Sequence, residues 1–278
     1  MKNILKIMLM MITIFTIAGS AVYAAEIPVS DQDQLITSSD WTEISNLQDE
    51  MKKEEPDATI DYDKALKVYV DCNLIKLQTA DTKKLTSALE SANYVWVIPF
   101  KMEKTYGMFT VAKGLPLREE AKSVLTKAEQ EEVKNHAGKW MITEIAEHTV
   151  KPYYDILLEK REALSDCTRV VLVGSQPGMR QPVALGMDDE TARIWISLGY
   201  QYPVMEKIPE TQNVESGVYS FDSVAEISDT YIEDSEVSTG AGVQSRSSMK
   251  YVAGIGIIVI GSIIILSVLK KKKLEDYE

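Results

Sequence analysis

Tyr251 to Leu269 is a run of 19 residues without a charge, rich in Ile and Val, and it stops on Lys270, Lys271, Lys272 and Lys273. At about 1.5 Å per residue, a helix of this length just crosses a hydrocarbon layer of about 30 Å. A soluble domain does not readily cover such a run on every face, so a spanning helix is the expectation and a buried core helix the alternative. Four lysines at its C-terminal end set the orientation, N-terminus out and C-terminus in. The basic tail, 270–278, is far too short for a catalytic or signalling domain. A message crossing the membrane must therefore pass through a partner.

The start of the chain adds a second address. Lys2 and Lys6 precede an uncharged apolar run from Ile7 to Gly19, and small residues follow, the pattern of a signal peptide over residues 1–24. Cleavage after Ala24 puts Val22 and Ala24 at the two size-checked positions, and no Cys follows to accept a lipid. An uncleaved anchor is the alternative, although the run is shorter than the roughly 20 residues a spanning helix needs. Gly254 and Gly261 share one side of the expected helix, so a homodimer through that face is an alternative, without the stricter small-xxx-small pattern. Ser238-Thr239-Gly240 resembles the end of a sortase sorting motif but lacks its Leu and Pro. A sortase-attached wall protein is accordingly an alternative reading. The chain has no Asn-x-Ser/Thr sequon, which with the short Lys- and Ile-rich start suggests a bacterium with a single membrane.

Charge excludes some partners. Setting aside two lysines of the signal segment, and four lysines and three acids of the tail, leaves 24 basic and 39 acidic residues, a net charge of −15. Nucleic acid and anionic lipid head groups are repelled by such a surface. Cationic peptides, metal ions and uncharged partners remain open.

Between these addresses, residues 25–202 read as one extracytoplasmic α+β domain. Asp40 as N-cap with Glu43 three positions on opens a helix to about Glu54, with Trp41, Ile44, Leu47 and Met51 as its buried stripe. Lys64 to Asp71 alternates with period two, which predicts a half-buried strand with Leu66, Val68 and Val70 inward and Lys67, Tyr69 and Asp71 outward. Asp81 or Thr82 caps a short helix carrying Leu85 and Leu89. Tyr94–Ile98 and Met108–Val111 follow as two strands with Gly107 marking their hairpin. Leu115 to Arg161 is mostly helical, with a capping box at Thr126 and Glu129, a C-terminal cap at Gly138, and Pro152 in the first turn of another helix. Trp140 to Ile145 fits strand or helix equally. Arg169–Val173, Pro182–Leu185 and Ala192–Leu198 then form an antiparallel meander. Strands come in pairs and triplets, so an antiparallel sheet with packed helices is expected over a doubly wound parallel one. The plan is similar to that of PAS and Cache sensor domains, without a shared motif. Residues 203–250 carry nine acids against Lys207, Arg246 and Lys250, and their second half is crowded with serines. That composition predicts a solvated stalk, of which Val218 to Phe221 could dock as an edge strand.

Reactive side chains are few. His136 and His148 are the two histidines, neither in metal-site spacing, and Glu144 with His148 reads as an exposed pair on one helix face. Cys72 and Cys167 leave three readings open: one disulfide, two buried free thiols, or a thiol nucleophile with His148 as base. Gly174-Ser175-Gln176-Pro177-Gly178 lacks the glycine spacing of a nucleophile elbow and reads as a hairpin turn. Asp188-Asp189-Glu190 lacks the Ca²⁺-loop spacing and reads as a solvated acidic turn. No residue is assigned to catalysis, to a cofactor or to a metal, and no cofactor is expected. The expected function is a single-pass bacterial cell-surface protein with a non-enzymatic interaction or sensing domain, working with another membrane or envelope protein. An extracytoplasmic hydrolase is the rival.

Overall fold

The computed structural model describes residues 27–148, 151–174, 176, 179, 181–199, 202, 204–209 and 213–228. Among them no helix is long and apolar enough to cross a membrane. The expected signal peptide, the span Tyr251 to Leu269, the tail and residues 229–250 lie outside the described residues.

The fold is α+β with a mostly antiparallel sheet. Its strands are β1 Thr59–Ile60, β2 Leu66–Val70, β3 Asn93–Lys101, β4 Tyr106–Lys113, β5 Trp140–His148, β6 Arg169–Val173, β7 Val183–Met187, β8 Ala192–Ile196, β9 Asn213–Glu215 and β10 Val218–Ser220. They are ordered β5-β4-β3-β2-β6-β7-β8-β10-β9, with β1 beside β3. Two antiparallel meanders therefore meet at a seam, β2 against β6, which pairs in parallel through Val68↔Leu172 and Tyr69↔Val173. The helices are α1 Trp41–Ile44, α2 Gln48–Glu54, α3 Thr82–Glu90, α4 Glu119–Lys122, α5 Lys127–His136, α6 Tyr153–Glu159 and α7, residues 221–228.

Local chemistry sets several of these boundaries. The Asp81 carboxylate accepts the Lys84 N–H at the start of α3, and Thr126 and Glu129 close the reciprocal capping box of α5. Asp40 makes no cap, and a 3-10 turn at Ser45–Leu47 separates α1 from α2. Trp140 to His148 is strand, paired along β4 through Lys113↔Trp140 and Phe109↔Ile145, so Glu144 and His148 are not one turn apart on a helix. Four strand residues place them roughly 13 Å apart instead. Gly107 is not in the hairpin turn. It pairs with Phe100 inside β4, and the Phe100 ring fills the space that its missing Cβ leaves.

Three apolar clusters cover the sheet. α1 and α2 lay Ile44 and Met51 over Trp96, Ile98, Phe100, Phe109 and Val111. On the same face, over the meander β6–β7–β8, α3 and α7 bring Leu85, Leu89, Phe221 and Val224 onto Val171, Leu185 and Trp195. α6 closes the opposite face with Ile156 and Leu157 over Val68, Leu172 and Ile194. Consequently β2 is not half-buried: Tyr69, expected in solvent, is 6% exposed because it packs into the cluster under α3 and α7. The folded body also continues past residue 202 into the segment read as a stalk. Val204, Met205 and Ile208 are buried, β10 pairs with β8 through Tyr219↔Trp195, and Phe221 stacks on Trp195 at 5.7 Å. By contrast, no described side chain of residues 115–137 is buried. This excursion leaves the β4–β5 hairpin and is closed at its base by the Gly114 N–H to Lys139 and the Gly138 N–H to Gly114.

Candidate functional site

The densest polar chemistry lies at the seam, where a strap ahead of α1 crosses between the two meanders. Val29 bridges to Val170, and the Val170 N–H donates to the Pro28 carbonyl at 2.7 Å. Gln34 bridges to Leu66, and the Leu35 N–H donates to the Ala65 carbonyl at 3.2 Å. The strap thus pairs with β6 on one side and with β2 on the other. Ile27, Val29 and Leu35 are buried with it.

Asp33, 2% exposed, sits at the centre of the strap. Its carboxylate accepts from the Ser30 hydroxyl at 2.6 Å, the Tyr69 phenol at 2.7 Å and the Arg169 Nη2 at 3.0 Å. Lys67 Nζ stands 3.9 Å away. Taking a carboxylate out of water is costly, and this degree of pairing offsets that cost. One acid therefore faces cations from both strands of the seam. Burial, and then the hydrogen bond to Asp33, push the Tyr69 phenol well above its ordinary value.

Next to it Lys67 lies over three rings, 4.5 Å from Tyr94, 5.2 Å from Trp96 and 5.8 Å from Tyr69. Burial lowers the Lys67 ammonium below its usual range, against the opposing pull of Asp33 and Asp40. Asp40, expected as a helix cap, instead accepts from the Tyr94 hydroxyl at 2.9 Å and the Trp96 indole at 3.0 Å. Burial and that Asp40 contact raise the Tyr94 phenol as well. The expectation missed these roles because Asp33 and Asp40 lie in a polar stretch with no periodicity. The available signal was Lys67 itself, a cation in the middle of an apolar strand.

Neither cysteine is placed for chemistry. Cys72 packs with Val171 and Leu185, and Cys167 with Val170, Leu172 and Ala184, residues that point to opposite faces of the sheet. Both are free thiols, so the disulfide is overturned: the sheet stands between them. His148 ends β5, which is separated from β2 and β6 by β4 and β3. At about 4.8 Å per strand that distance is roughly 15–20 Å, too far for a thiol and its base. Burial, helped by Asp71, pushes Cys72 up to about 11; burial, helped by Asp188 and Asp166, does the same to Cys167. At neutral pH only about one thiol in ten thousand is ionised at such a value.

Two shallow clefts open elsewhere. One of about 270 Å³ lies between Ile75, Gln78, Thr79 and the α7 residues Phe221 and Ala225, and Gln78 holds a left-handed backbone there at φ 49°. The other, about 460 Å³, is lined by Ala163, Asp166, Cys167, Arg193 and Val214. Its guanidinium is engaged by Asp188, whose carboxyl is held low first by the Thr191 and Glu190 N–H groups and then by Arg193. The Asp188-Asp189-Glu190 turn is thus spent on its own geometry.

The loop after β6 is more than a turn. Gln176 is 3% exposed, donates to the Cys72 and Gly174 carbonyls at 2.6 and 3.0 Å, and accepts the Leu74 N–H at 3.0 Å. It pins the segment after β2 to the segment after β6. Among the described residues no group of three or more His, Cys, Asp or Glu side chains could hold a metal. No family model matches the chain, and no characterised protein or solved structure shows detectable similarity to it.

Proposed function

We propose that the chain is a single-pass bacterial cell-surface protein whose folded part, outside the membrane, is a non-enzymatic interaction or sensing domain acting through another membrane or envelope protein. The observation that carries this reading is the uncharged run from Tyr251 to Leu269 ending on four lysines, behind an N-terminal signal pattern. Two features of the folded part support the non-enzymatic half of it. Its clefts are shallow, and its two thiols are protonated and far from His148. Its acidic surface, net −15 outside the two addresses, suits a basic or neutral protein partner rather than nucleic acid.

Protease added to intact cells or protoplasts tests the topology. Cleavage between residues 229 and 250 is expected to release the domain and leave a small anchored fragment containing Tyr277. Protection of the whole chain overturns the reading. Crosslinking on living cells, followed by identification of the joined chain, tests the partner half, and turnover of an envelope polymer by the purified domain would favour the hydrolase.

A further inference from the structure

The seam is a short ladder in the middle of the sheet. β2 and β6 share two register pairs, whereas β3 and β4 share seven and β6 and β7 share five. Below that short ladder the strap takes over, pairing to β6 at Val29 and to β2 at Gln34. Electrostatics point the same way. Lys67 and Arg169 come from the two strands of the seam, and the carboxylate that both approach, Asp33, belongs to the strap rather than to either meander. Without the strap the partly buried Arg169 loses its carboxylate partner, Lys67 keeps only the more distant pull of Asp40, and two strand edges lose their partners.

We propose that residues 27–35 are a latch: seated, they hold the two half-sheets together through the one carboxylate that Lys67 and Arg169 share, and withdrawn, they loosen the pairing of β2 with β6 while each meander keeps its own pairing. The unlatched form differs from the closed one in a defined way. It frees the edges of β2 at Leu66 and of β6 at Val170, and it turns a neutralised pocket into a cationic slot lined by Tyr69. This places the fold's adjustable element at its centre, between α1–α2 on one meander and α3–α7 on the other.

Hydrogen exchange on the full chain in detergent, read strand by strand, tests it. In Asp33→Ala the amides of β2 and β6 are expected to exchange at least about tenfold faster, while those shared by β3 and β4 and by β7 and β8 keep their protection. Unchanged protection at the seam, or an equal loss in every strand, overturns the latch. Replacing both cations in the same background, Asp33→Ala with Lys67→Met and Arg169→Met, is expected to restore much of the seam protection; exchange as fast as in the single variant shows that charge does not hold it. Should Asp33→Ala fail to fold, Asp33→Asn keeps the shape and one acceptor oxygen and removes the charge, and the same pattern is expected from it.

Discussion

Gly107 offers a sharp test of how the first meander is packed. A glycine in a hairpin turn accepts alanine at little cost, whereas this one lies in β4 opposite Phe100. A Cβ built at 107 would stand 2.7 Å from Phe100 Cε1 and nearer still to Cζ and Cε2. The ring cannot swing aside freely: Phe100 is 1% exposed and lies 4.7 Å from the Phe109 ring. Overpacking a core costs about 1–3 kcal/mol, and expelling a buried Phe costs about 3–5 kcal/mol. Because the ring must move bodily, Gly107→Ala is expected near the junction, about 3 kcal/mol. For a domain of this size that is a fall in Tm of about 6–12 °C. Urea and thermal unfolding of Gly107→Ala, Phe100→Leu and the double variant form a cycle. The Leu side chain lacks the far edge of the ring, so the double variant should lose less than the sum of the two single ones. A loss below about 1 kcal/mol for Gly107→Ala, or strict additivity, refutes the packing argument.

Two further predictions concern the thiols and the domain boundary. Alkylation of native, unreduced protein at pH 7 should leave Cys72 and Cys167 unmodified, and unfolding should make both reactive; a mass showing a bonded pair would contradict their placement on opposite faces. Because the folded state raises both thiols to about 11, stability is full below their unfolded values and declines as pH rises through the alkaline range toward 11. The raised phenols of Tyr69 and Tyr94 extend that decline above pH 10, and a denaturation series from pH 8 to 11 checks the sign. Truncation after Tyr202 should abolish cooperative unfolding, since it strips β10 from β8 and Phe221 from Trp195, whereas truncation after Ser228 should preserve it.

What could be read in advance divides along physical lines. The meander β6–β7–β8 was legible because Arg169–Val173 and Ala192–Ile196 are short β-rich runs set between Gly, Pro and Asp turns. The helix starts at Asp81 and Thr126 were legible because capping is a contact within three residues. The rest depends on contacts distant in sequence. Lys67 and Tyr69 alternate like surface residues, and their inward partners, Asp33 above all, lie more than twenty positions away in sequence. Residues 204–224 look like a stalk because their acids dominate the average, yet Val204, Met205, Ile208, Val218, Phe221 and Val224 each find a buried place. Composition averages over a window; burial selects individual side chains. At the seam the polar ends of Asp33 and Asp40 carried no periodic signal at all, so the central cluster stayed invisible until the strands were aligned.

The strap also fixes an order of events for a chain that emerges from its N-terminus. Asp33 and its partner Arg169 are 136 positions apart, so the first segment of the folded body to appear is the one whose place is completed late. The hairpin of β3 and β4, and later that of β7 and β8, can close locally and quickly, while residues 27–35 wait for β6. During that interval Ile27, Val29 and Leu35 have no core to enter, and the half-formed sheet has an open strand edge at Leu66. A newly emerged chain is therefore most exposed to mispairing with its neighbours between the appearance of β2 and that of β6, and least so once the two meanders have met across the strap.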